Sequence, residues 1–447
     1  MDPLRSPLLT DLYQLTMLQS YYERDMVAPA TFELYARKLP PHCGYLIAAG
    51  LEQALDWLEQ LRFGPEELAW LDGSGLFKPR FIERLADWRF TGEAYALPEG
   101  TALFPDEPLL QITAPLPEAQ LVESRLMNLV QFQTLVATRA ARVVQAAQGR
   151  RVVDFGMRRA HGAEAALFAA RATYLAGFDA TATVLAGAEY GIPVTGTMAH
   201  SYILAFAEET EAFKAFIEAH PDKAVLLIDT YDTEAAAAKV VELARQGYRA
   251  SAVRLDSGDL ADHARQVRRI LDDGGLTETL ILASGDLDEY AVAEMVGQGV
   301  PIDGFGLGTR IDTASEQPFL ECAYKLMAYA GEPRRKRSEG KGHWAGRKQI
   351  WRHHDAQGRV QADTLGLAEE RPPAAAEPLL QCAMRDGERL AAPESLDVIR
   401  RRTHESLRRL PGHCRDLQQP TPITVHPTDA LKSAARRADR VTGYQGP

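Results

Sequence analysis

The 447-residue sequence has few cysteines and no long apolar run. Its four cysteines (Cys43, Cys322, Cys382 and Cys414) lie far apart and form no CxxC pair. This argues against a structural zinc site and favours a reducing compartment over a disulfide framework. No apolar stretch reaches the length of about 18 residues that a membrane span needs, and the first residues lack a signal-peptide pattern. We therefore expect a soluble, cytoplasmic protein with no membrane partner.

Positive charge is also in short supply. The chain carries 50 Lys and Arg against 61 Asp and Glu, a formal net charge of −11, which argues against a general nucleic-acid binder. The hydrophobic content of 46% and the charged content of 25% are those of an ordinary globular protein. A chain of 447 residues exceeds what one core usually holds, so we expect two or three domains.

The sequence does contain a repeated unit between Val152 and Thr309. Six apolar stretches, read as strands, each end on a polar or glycine-rich tip, and the tips start at Asp154, Gly196, Asp229, Arg254, Ser284 and Gly304. Helical patterns separate them, most clearly at residues 205–219, 233–246, 260–272 and 286–298. Parallel strands joined by helices bring such tips to one mouth of a barrel. A solenoid and an open doubly wound sheet are the competing interpretations.

The flanking segments mix helices and strands. Helical spacing with Thr10 as N-cap predicts a helix over residues 10–22, and alternation predicts a strand over residues 30–37. Residues 90–115 are typical of a β-rich subdomain, and residues 118–148 of a long helix. After Tyr324 the strand–helix alternation stops.

The predicted fold is an incomplete parallel α/β barrel with an additional α+β domain. We expect the N-terminal and C-terminal segments to build that second domain together. The predicted limits are 1–118 for the N-terminal α+β part, 119–330 for the catalytic barrel, and 331–447 for the C-terminal segment with a helical or partly disordered tail.

Four kinds of residue at the tips are candidates for function: glycines with a threonine, cations, carboxylates and a histidine. Gly306, Gly308 and Thr309 follow the last strand, where glycines allow a phosphate close to backbone N–H groups, or where a tight turn needs positive φ. Cations stand at Arg158, Arg159 and Arg254, next to buried strands. An arginine there needs an anionic partner, either a structural carboxylate or a ligand.

Four carboxylates share two neighbouring tips, at Asp229, Asp232, Asp256 and Asp259. They suit Mg²⁺ bound together with substrate phosphates, ribose hydroxyls, or the N-caps of the helices that follow. His200 ends the predicted strand over residues 192–197 and precedes Ser201. That position makes it a candidate general base, metal ligand or nucleophile, and a hydrogen-bonded structural histidine is the alternative.

In their order along the chain, these motifs resemble the nicotinate phosphoribosyltransferases, a family with the type II phosphoribosyltransferase fold. The matching segments are TDLYQLTM, FELYARKLP, EGTALFPDEPLLQI, DFGMRRAHG, GTMAHS, LIDTYDT, VRLDSGDL and GFGLGT, followed by YKL at Tyr324 and a basic run at Lys336. The resemblance implies that nicotinate and phosphoribosyl pyrophosphate give nicotinate mononucleotide and pyrophosphate in NAD salvage. It further implies coupling to ATP hydrolysis, a ligase-type reaction.

The resemblance also implies roles for single residues. ATP would phosphorylate His200, Asp229 would orient it, and Asp256 would lie near ribose and Mg²⁺. Phe155 and a Tyr13 from the partner subunit of a homodimer would sandwich the pyridine. The remaining substrate-binding residues would be Arg158, Ser201 and Arg254 for substrate anions and neighbouring groups, Gly306, Gly308 and Thr309 for the 5′-phosphate, and Arg37, Lys336 and Ser338 for pyrophosphate or ATP.

The resemblance also bears on the choice between nicotinate and nicotinamide, through Ala182. Related nicotinamide-using enzymes place an aspartate at the matching position, and a carboxylate there would repel nicotinate. The absence of a carboxylate at position 182 favours nicotinate as the substrate. A nicotinamide phosphoribosyltransferase is the alternative.

A phosphosugar aldolase or isomerase barrel would need a Schiff-base lysine or an acid–base carboxylate, and the six tips contain no lysine. A non-catalytic regulator using the basic residues 400–409 as a partner surface is a third class.

Overall fold

The computed structural model describes residues 2–336 and 343–441. The chain divides into two compact units. The barrel unit is Val136–Pro318. The flanking unit combines Met1–Leu135 with Phe319–Pro447. The α+β unit is thus assembled from both ends of the chain, as the sequence predicts.

The strands, in chain order, lie in both units. They are β1 (Pro29–Ala36), β2 (Leu46–Ile47), β3 (Glu93–Ala96), β4 (Ala102–Leu103), β5 (Pro108–Pro115), β6 (Arg151–Asp154), β7 (Ala180–Thr181), β8 (Val225–Leu227), β9 (Ala252–Leu255), β10 (Leu280–Ala283), β11 (Gly304–Leu307), β12 (Cys322–Tyr329), β13 (Glu332–Pro333), β14 (Lys348–His354), β15 (Val360–Leu367), β16 (Glu377–Pro378), β17 (Gln381–Arg385), β18 (Glu388–Arg389) and β19 (Val425–Pro427).

Helices connect most of these strands. They are α1 (Leu12–Glu23), α2 (Leu51–Gln60), α3 (Pro65–Gly73), α4 (Pro79–Leu85), α5 (Leu116–Leu121), α6 (Glu123–Ala147), α7 (Ala163–Ala176), α8 (Val184–Tyr190), α9 (His200–Leu204), α10 (Glu209–Ala219), α11 (Thr233–Arg245), α12 (Leu260–Asp273), α13 (Glu289–Gly297), α14 (Thr309–Asp312), α15 (Leu396–Arg409) and α16 (Asp429–Val441).

The barrel unit is built on a six-stranded sheet in the order β7-β6-β11-β10-β9-β8. Every neighbouring pair in it is parallel. The central strand β11 is buried along its whole length, as expected for a strand covered on both faces. Helices α11, α12 and α13 return the chain between successive strands, so the carboxyl ends of the strands meet at one mouth. The predicted incomplete parallel barrel is confirmed.

One predicted strand is wrong. Residues 192–197 form no strand, and their only pairing is an isolated bridge between Val194 and Thr181 of β7. Pro193 has no N–H to give to a ladder, and Pro193, Val194 and Gly196 are exposed to solvent. β7 takes the edge position instead, and His200 opens the short helix α9 rather than ending a strand.

The flanking unit contains a seven-stranded sheet in the order β13-β12-β1-β5-β3-β17-β18. The predicted strand over residues 30–37 is its β1, which pairs with β5 and with β12 from the C-terminal segment. The first helix begins at Leu12 with Asp11 as its N-cap residue, so Thr10 is not the cap. This helix has no side-chain capping bond.

The unit also holds a four-stranded sheet in the order β16-β14-β15-β19.

Within the described ranges no helix has both the length and the apolar character that crossing a bilayer demands. The four cysteines are free thiols.

Candidate functional site

A cleft of about 370 Å³ lies at the carboxyl ends of β6, β9, β10 and β11. Seven of the predicted site residues line it: Phe155, Arg158, Arg254, Asp256, Gly306, Gly308 and Thr309. The strand ends thus bring together residues that lie up to about 150 positions apart in the chain, as a parallel barrel is expected to do. Arg159, Ser284, Gly285 and Asp286 complete the lining.

The Phe155 ring lies directly against Gly306. The Phe155 N–H donates to the Leu307 carbonyl at 2.6 Å, which fixes the residue next to β11. A Cβ atom at Gly306 would come within 2.4 Å of the ring, and one at Gly308 within 2.9 Å of the Phe155 carbonyl. Neither glycine has a positive φ. Both are therefore glycine because Phe155 occupies the space, and not because a turn demands it.

Arg254 is held from three directions. Its side chain projects from β9 and is only 13% exposed. Nε donates to the Ser284 hydroxyl at 3.0 Å, Nη1 donates to the Thr197 hydroxyl, and Nη2 lies 3.1 Å from Asp256 Oδ1. The guanidinium carbon is 5.6 Å from the centre of the Phe155 ring. A fixed cation beside an aromatic face suits a flat, anionic ligand.

Asp229 and Asp256 are linked through the backbone. The Asp256 N–H and the Ser257 hydroxyl donate to Asp229 Oδ2 at 2.9 and 2.6 Å. The other oxygen, Oδ1 of Asp229, is buried and accepts no hydrogen bond from the described part of the chain. Ser284 donates to Asp256 Oδ1, the same oxygen that Arg254 contacts. Asp256 Oδ2 takes no part in those two contacts.

His200 stands at the first position of α9 with its side chain 41% exposed. Its Nδ1 is hydrogen-bonded to the Thr230 hydroxyl at 3.1 Å, and its Nε2 lies 4.0 Å from Asp256 Oδ2. The side-chain partner of the ring is thus Thr230, while Asp229 supports the backbone of Asp256. The orienting role of Asp229 stays a prediction. Ser201 follows on the same helix and is exposed.

The four carboxylates of the two tips have separate structural roles. Asp232 and Asp259 are N-caps, accepting from the backbone N–H of Ala235 at 2.8 Å and of Asp262 at 3.0 Å. In residues 2–336 and 343–441 no group of three or more His, Cys, Asp or Glu is arranged to hold a metal. Mg²⁺ usually takes one or two carboxylates and completes its shell with water and phosphate oxygens. Asp256 fits such a site, because Arg254 and Ser284 contact only its Oδ1.

The other predicted residues belong to the flanking unit. Tyr13 lies on α1 with 47% of its surface exposed. Arg37 follows β1, where its N–H donates to the Glu321 carbonyl at 2.7 Å. Lys336 is exposed, and Ser338 lies outside the described residues. Their roles stay predictions.

Four contact residues were missed by the sequence reasoning as site residues. Thr197, Thr230 and Ser284 hold Arg254, His200 and Asp256, and Asp286 reaches the cleft with a positive φ of 52°. All four stand in the strand tips, but their hydroxyl or carboxylate groups face partners far away in the sequence. Their position at a strand tip was the one sequence signal that could have identified them as site residues.

Three family models match successive parts of the chain. The nicotinate phosphoribosyltransferase N-terminal domain matches residues 8–131, the quinolinate phosphoribosyl transferase C-terminal domain matches residues 136–316, and the nicotinate phosphoribosyltransferase C-terminal domain matches residues 372–434. The middle match spans nearly the whole barrel unit.

Individual relatives extend along most of the chain. It is 46% identical over 416 residues to nicotinate phosphoribosyltransferase pncB2 of Mycobacterium tuberculosis, covering 92% of this chain and 89% of that protein. It is 32% identical over 518 residues to nicotinate phosphoribosyltransferase of Bos taurus, covering 96% of both. Among solved structures, human nicotinic acid phosphoribosyltransferase superimposes with a TM-score of 0.84 at 30% identity, over 96% of this chain and 99% of that one.

Proposed function

Because the chain belongs to the nicotinate phosphoribosyltransferase family, we propose that it joins nicotinate to the ribosyl carbon of phosphoribosyl pyrophosphate in NAD salvage. The products are nicotinate mononucleotide and pyrophosphate. The observation that carries the proposal is the pairing of Arg254 with Phe155, a largely buried cation 5.6 Å from the centre of an aromatic ring. That pair offers a stacking surface for the pyridine and a counter-charge for its carboxylate.

The reaction needs no strong base, since the pyridine nitrogen already carries a free lone pair. The nitrogen forms the new bond to the anomeric carbon while the bond from that carbon to the pyrophosphate oxygen breaks, and the electron pair leaves with pyrophosphate. The protein must hold the ring in line and stabilise the departing charge. Phe155 and Arg254 provide the alignment. Arg158 and Arg159, exposed on the rim of the same cleft, supply positive charge toward the phosphates.

Asp256 would hold Mg²⁺ through Oδ2, and the ion would neutralise charge on the pyrophosphate. Gly308 and Thr309 line the same cleft and would hold the 5′-phosphate. Thr309 is exposed and stands first in α14. A side chain at Gly308 would collide with the Phe155 carbonyl, so close packing against Phe155 requires glycine at this position.

The proposal includes ATP coupling through a phosphohistidine at His200. Nδ1 is engaged by Thr230, which leaves Nε2, on the side of Asp256, as the nitrogen that attacks. A bond from Nε2 to the γ-phosphorus of ATP forms as the bond to the bridging oxygen breaks, and ADP leaves with the electron pair. A phosphoryl group beside Asp256 adds negative charge at the cleft and thereby changes the affinity for substrates and products.

Two chains complete the site in this proposal. Tyr13 stacks on the pyridine from the partner subunit, and Arg37 reaches the pyrophosphate across the homodimer. Tyr13 is 47% exposed, with the exposed residues Leu9 and Leu12 beside it on the chain, which supports contact with a second subunit. The protein acts in the cytoplasm, whose reducing conditions suit its four free thiols.

The proposal is tested by offering phosphoribosyl pyrophosphate with nicotinate, nicotinamide or quinolinate, each with and without ATP. Of the three pyridines, we expect nicotinate alone to react, giving nicotinate mononucleotide. We expect ATP to raise the rate or the final yield of that product. Product from nicotinamide but not from nicotinate would overturn the substrate assignment, and indifference to ATP would overturn the coupling.

The variant His200→Ala tests the phosphohistidine separately. We expect it to lose ATP stimulation and incorporation of label from γ-labelled ATP, while nicotinate binding persists. His404→Ala, on the exposed face of α15, is the matched control and should keep both. Unchanged ATP stimulation in His200→Ala would remove His200 from this role.

A further inference from the structure

Two buried carboxyl groups meet beneath the loop that carries Phe155. We call residues 155–158 the pyridine loop. Asp154, the last residue of β6, and Asp312, the last residue of α14, are each only 1% exposed. Within residues 2–336 and 343–441 no ion pair with a Lys, Arg or His reaches either one. Two buried carboxylates without a cation would repel each other strongly.

The hydrogen bonds around Asp154 are those of a carboxylate. The Gly156 N–H donates to Oδ1 at 2.8 Å, and the Thr181 hydroxyl donates to Oδ2 at 2.6 Å. Each oxygen therefore has a donor. Donors of this kind stabilise the charged form of the group.

Asp312 has the opposite surroundings. Both of its oxygens are buried, and none of the described residues donates a hydrogen bond to them. Burial, followed by the negative charge of Asp154, raises the pKa of Asp312 well above its ordinary value. A protonated Asp312 satisfies this arrangement, because its own O–H then provides a donor toward Asp154.

We propose that Asp312 is a neutral carboxylic acid that donates its proton in a hydrogen bond to the Asp154 carboxylate, and that this acid–carboxylate pair positions the pyridine loop. A Cβ atom at Gly156 would lie 2.1 Å from the Asp312 carboxyl carbon, so the loop rests directly on that carboxyl group.

The pair joins three strand ends. Asp154 closes β6, Thr181 closes β7 one residue before Ala182, and Asp312 follows β11 through α14. Phe155 and Thr309 both depend on it, at the positions proposed for the pyridine and the 5′-phosphate. Asp312 is thus a positioning residue, and its effect on catalysis rests on the proposed function.

The test compares Asp312→Asn, Asp312→Ala and Asp154→Asn. An amide at position 312 keeps a donor toward Asp154, so we expect Asp312→Asn to keep kcat and the KM for nicotinate within about twofold of the parent. Asp312→Ala leaves the loop unsupported, and we expect kcat/KM for nicotinate to fall about 10- to 100-fold even well below the melting temperature. Asp154→Asn points an amide N–H₂ at the Gly156 or Thr181 donor and should lose both stability and activity.

Asp363→Asn in the flanking unit is the matched control. Asp363 is fully buried but accepts three hydrogen bonds from Arg352, so its charge is needed. We expect Asp363→Asn to lower Tm markedly and Asp312→Asn to leave it near that of the parent.

Two results would overturn the proposal. Equal damage from Asp312→Asn and Asp312→Ala would show that position 312 needs a negative charge. A lowered Tm in Asp312→Ala with unchanged kcat and KM would reduce Asp312 to a packing role. Parent protein that is inactive on nicotinate would contradict the proposed function alone, since the asymmetry in Tm between Asp312→Asn and Asp154→Asn would still report the proton.

Discussion

At the scale of single residues, Gly306 and Phe155 share one volume at the mouth of the barrel. The ring occupies the place of the side chain that β11 lacks at position 306. Arg254, Ser284 and Asp256 then fix the cation next to that ring. The shape of the cleft therefore depends on the absence of a side chain at position 306 as well as on the polar groups around it.

The substitution Gly306→Ala tests this packing. A methyl group would stand 2.4 Å from the Phe155 ring, so the ring must move. We expect a loss of about 1–3 kcal/mol in the free energy of unfolding, as for overpacked cores, and a raised KM for nicotinate. Chemical denaturation and steady-state kinetics measure the two effects.

Gly297→Ala is the control for that prediction. Gly297 ends α13, and a Cβ atom there would have nothing within 4 Å. We expect it to be neutral or to stabilise by up to about 1 kcal/mol. If Gly306→Ala behaved like Gly297→Ala, the ring would not be fixed by the glycine.

At the scale of elements, three successive helices of the barrel start on aspartates. Asp232, Asp259 and Asp288 cap α11, α12 and α13, and each accepts a backbone N–H from the first turn. The caps tie each helix to the strand tip before it. For Asp232 and Asp259 the sequence left magnesium binding open as an alternative to capping. In the structure their carboxylates accept hydrogen bonds from the first turns of their own helices.

Asp259→Ala separates the two roles. Loss of the cap is expected to cost about 1 kcal/mol of stability, with the magnesium dependence and the KM for phosphoribosyl pyrophosphate unchanged. Asp259→Ser keeps an acceptor for the Asp262 N–H and should restore most of the stability. A shift in the magnesium requirement of Asp259→Ala would assign the residue to the metal site.

The sequence could predict the elements whose pattern is local. Strand tips at Asp154, Asp229 and Arg254 follow short apolar runs, and those runs are strands β6, β8 and β9. Residues 192–197 show a similar run but lie on the outside of β7, where Pro193 ends any ladder. The local sequence pattern does not determine which apolar run pairs with the sheet as a strand. The contact of Phe155 with Gly306 was equally out of reach, because it depends on the register of β6 with β11.

At the scale of the whole molecule, buried charges sit inside the flanking unit. Lys348 and Glu33 form an ion pair in which both side chains are 1% exposed, and Arg352 is paired with the buried Asp363. His343 is buried near Lys348, and its Nε2 has no hydrogen-bond partner in the described part of the chain. Burial, with the nearby cations, lowers the pKa of His343 to about 4.

This histidine makes stability depend on pH. Between about pH 6.5 and pH 4 the unfolded chain binds a proton at position 343 and the folded chain does not. Acidification through that window therefore favours unfolding, by about 1.4 kcal/mol per pH unit from this residue. We expect His343→Gln to lose less stability than the parent between pH 7 and pH 4.5, as measured by denaturant unfolding.

The exposed His404 provides the comparison, and His404→Gln should follow the parent. Parallel curves for the parent and His343→Gln would mean that the buried ring is protonated in the folded protein.

The strand order of the barrel has a consequence for how the protein behaves at high concentration. An open sheet leaves two outer strands whose free N–H and C=O groups can recruit strands from other molecules. Here those outer strands are β7 and β8, of two and three residues, and β7 is covered by the bridge from Val194. Such short borders give a neighbouring chain almost nothing to pair with. The barrel can stay open for catalysis without exposing a template for aggregation.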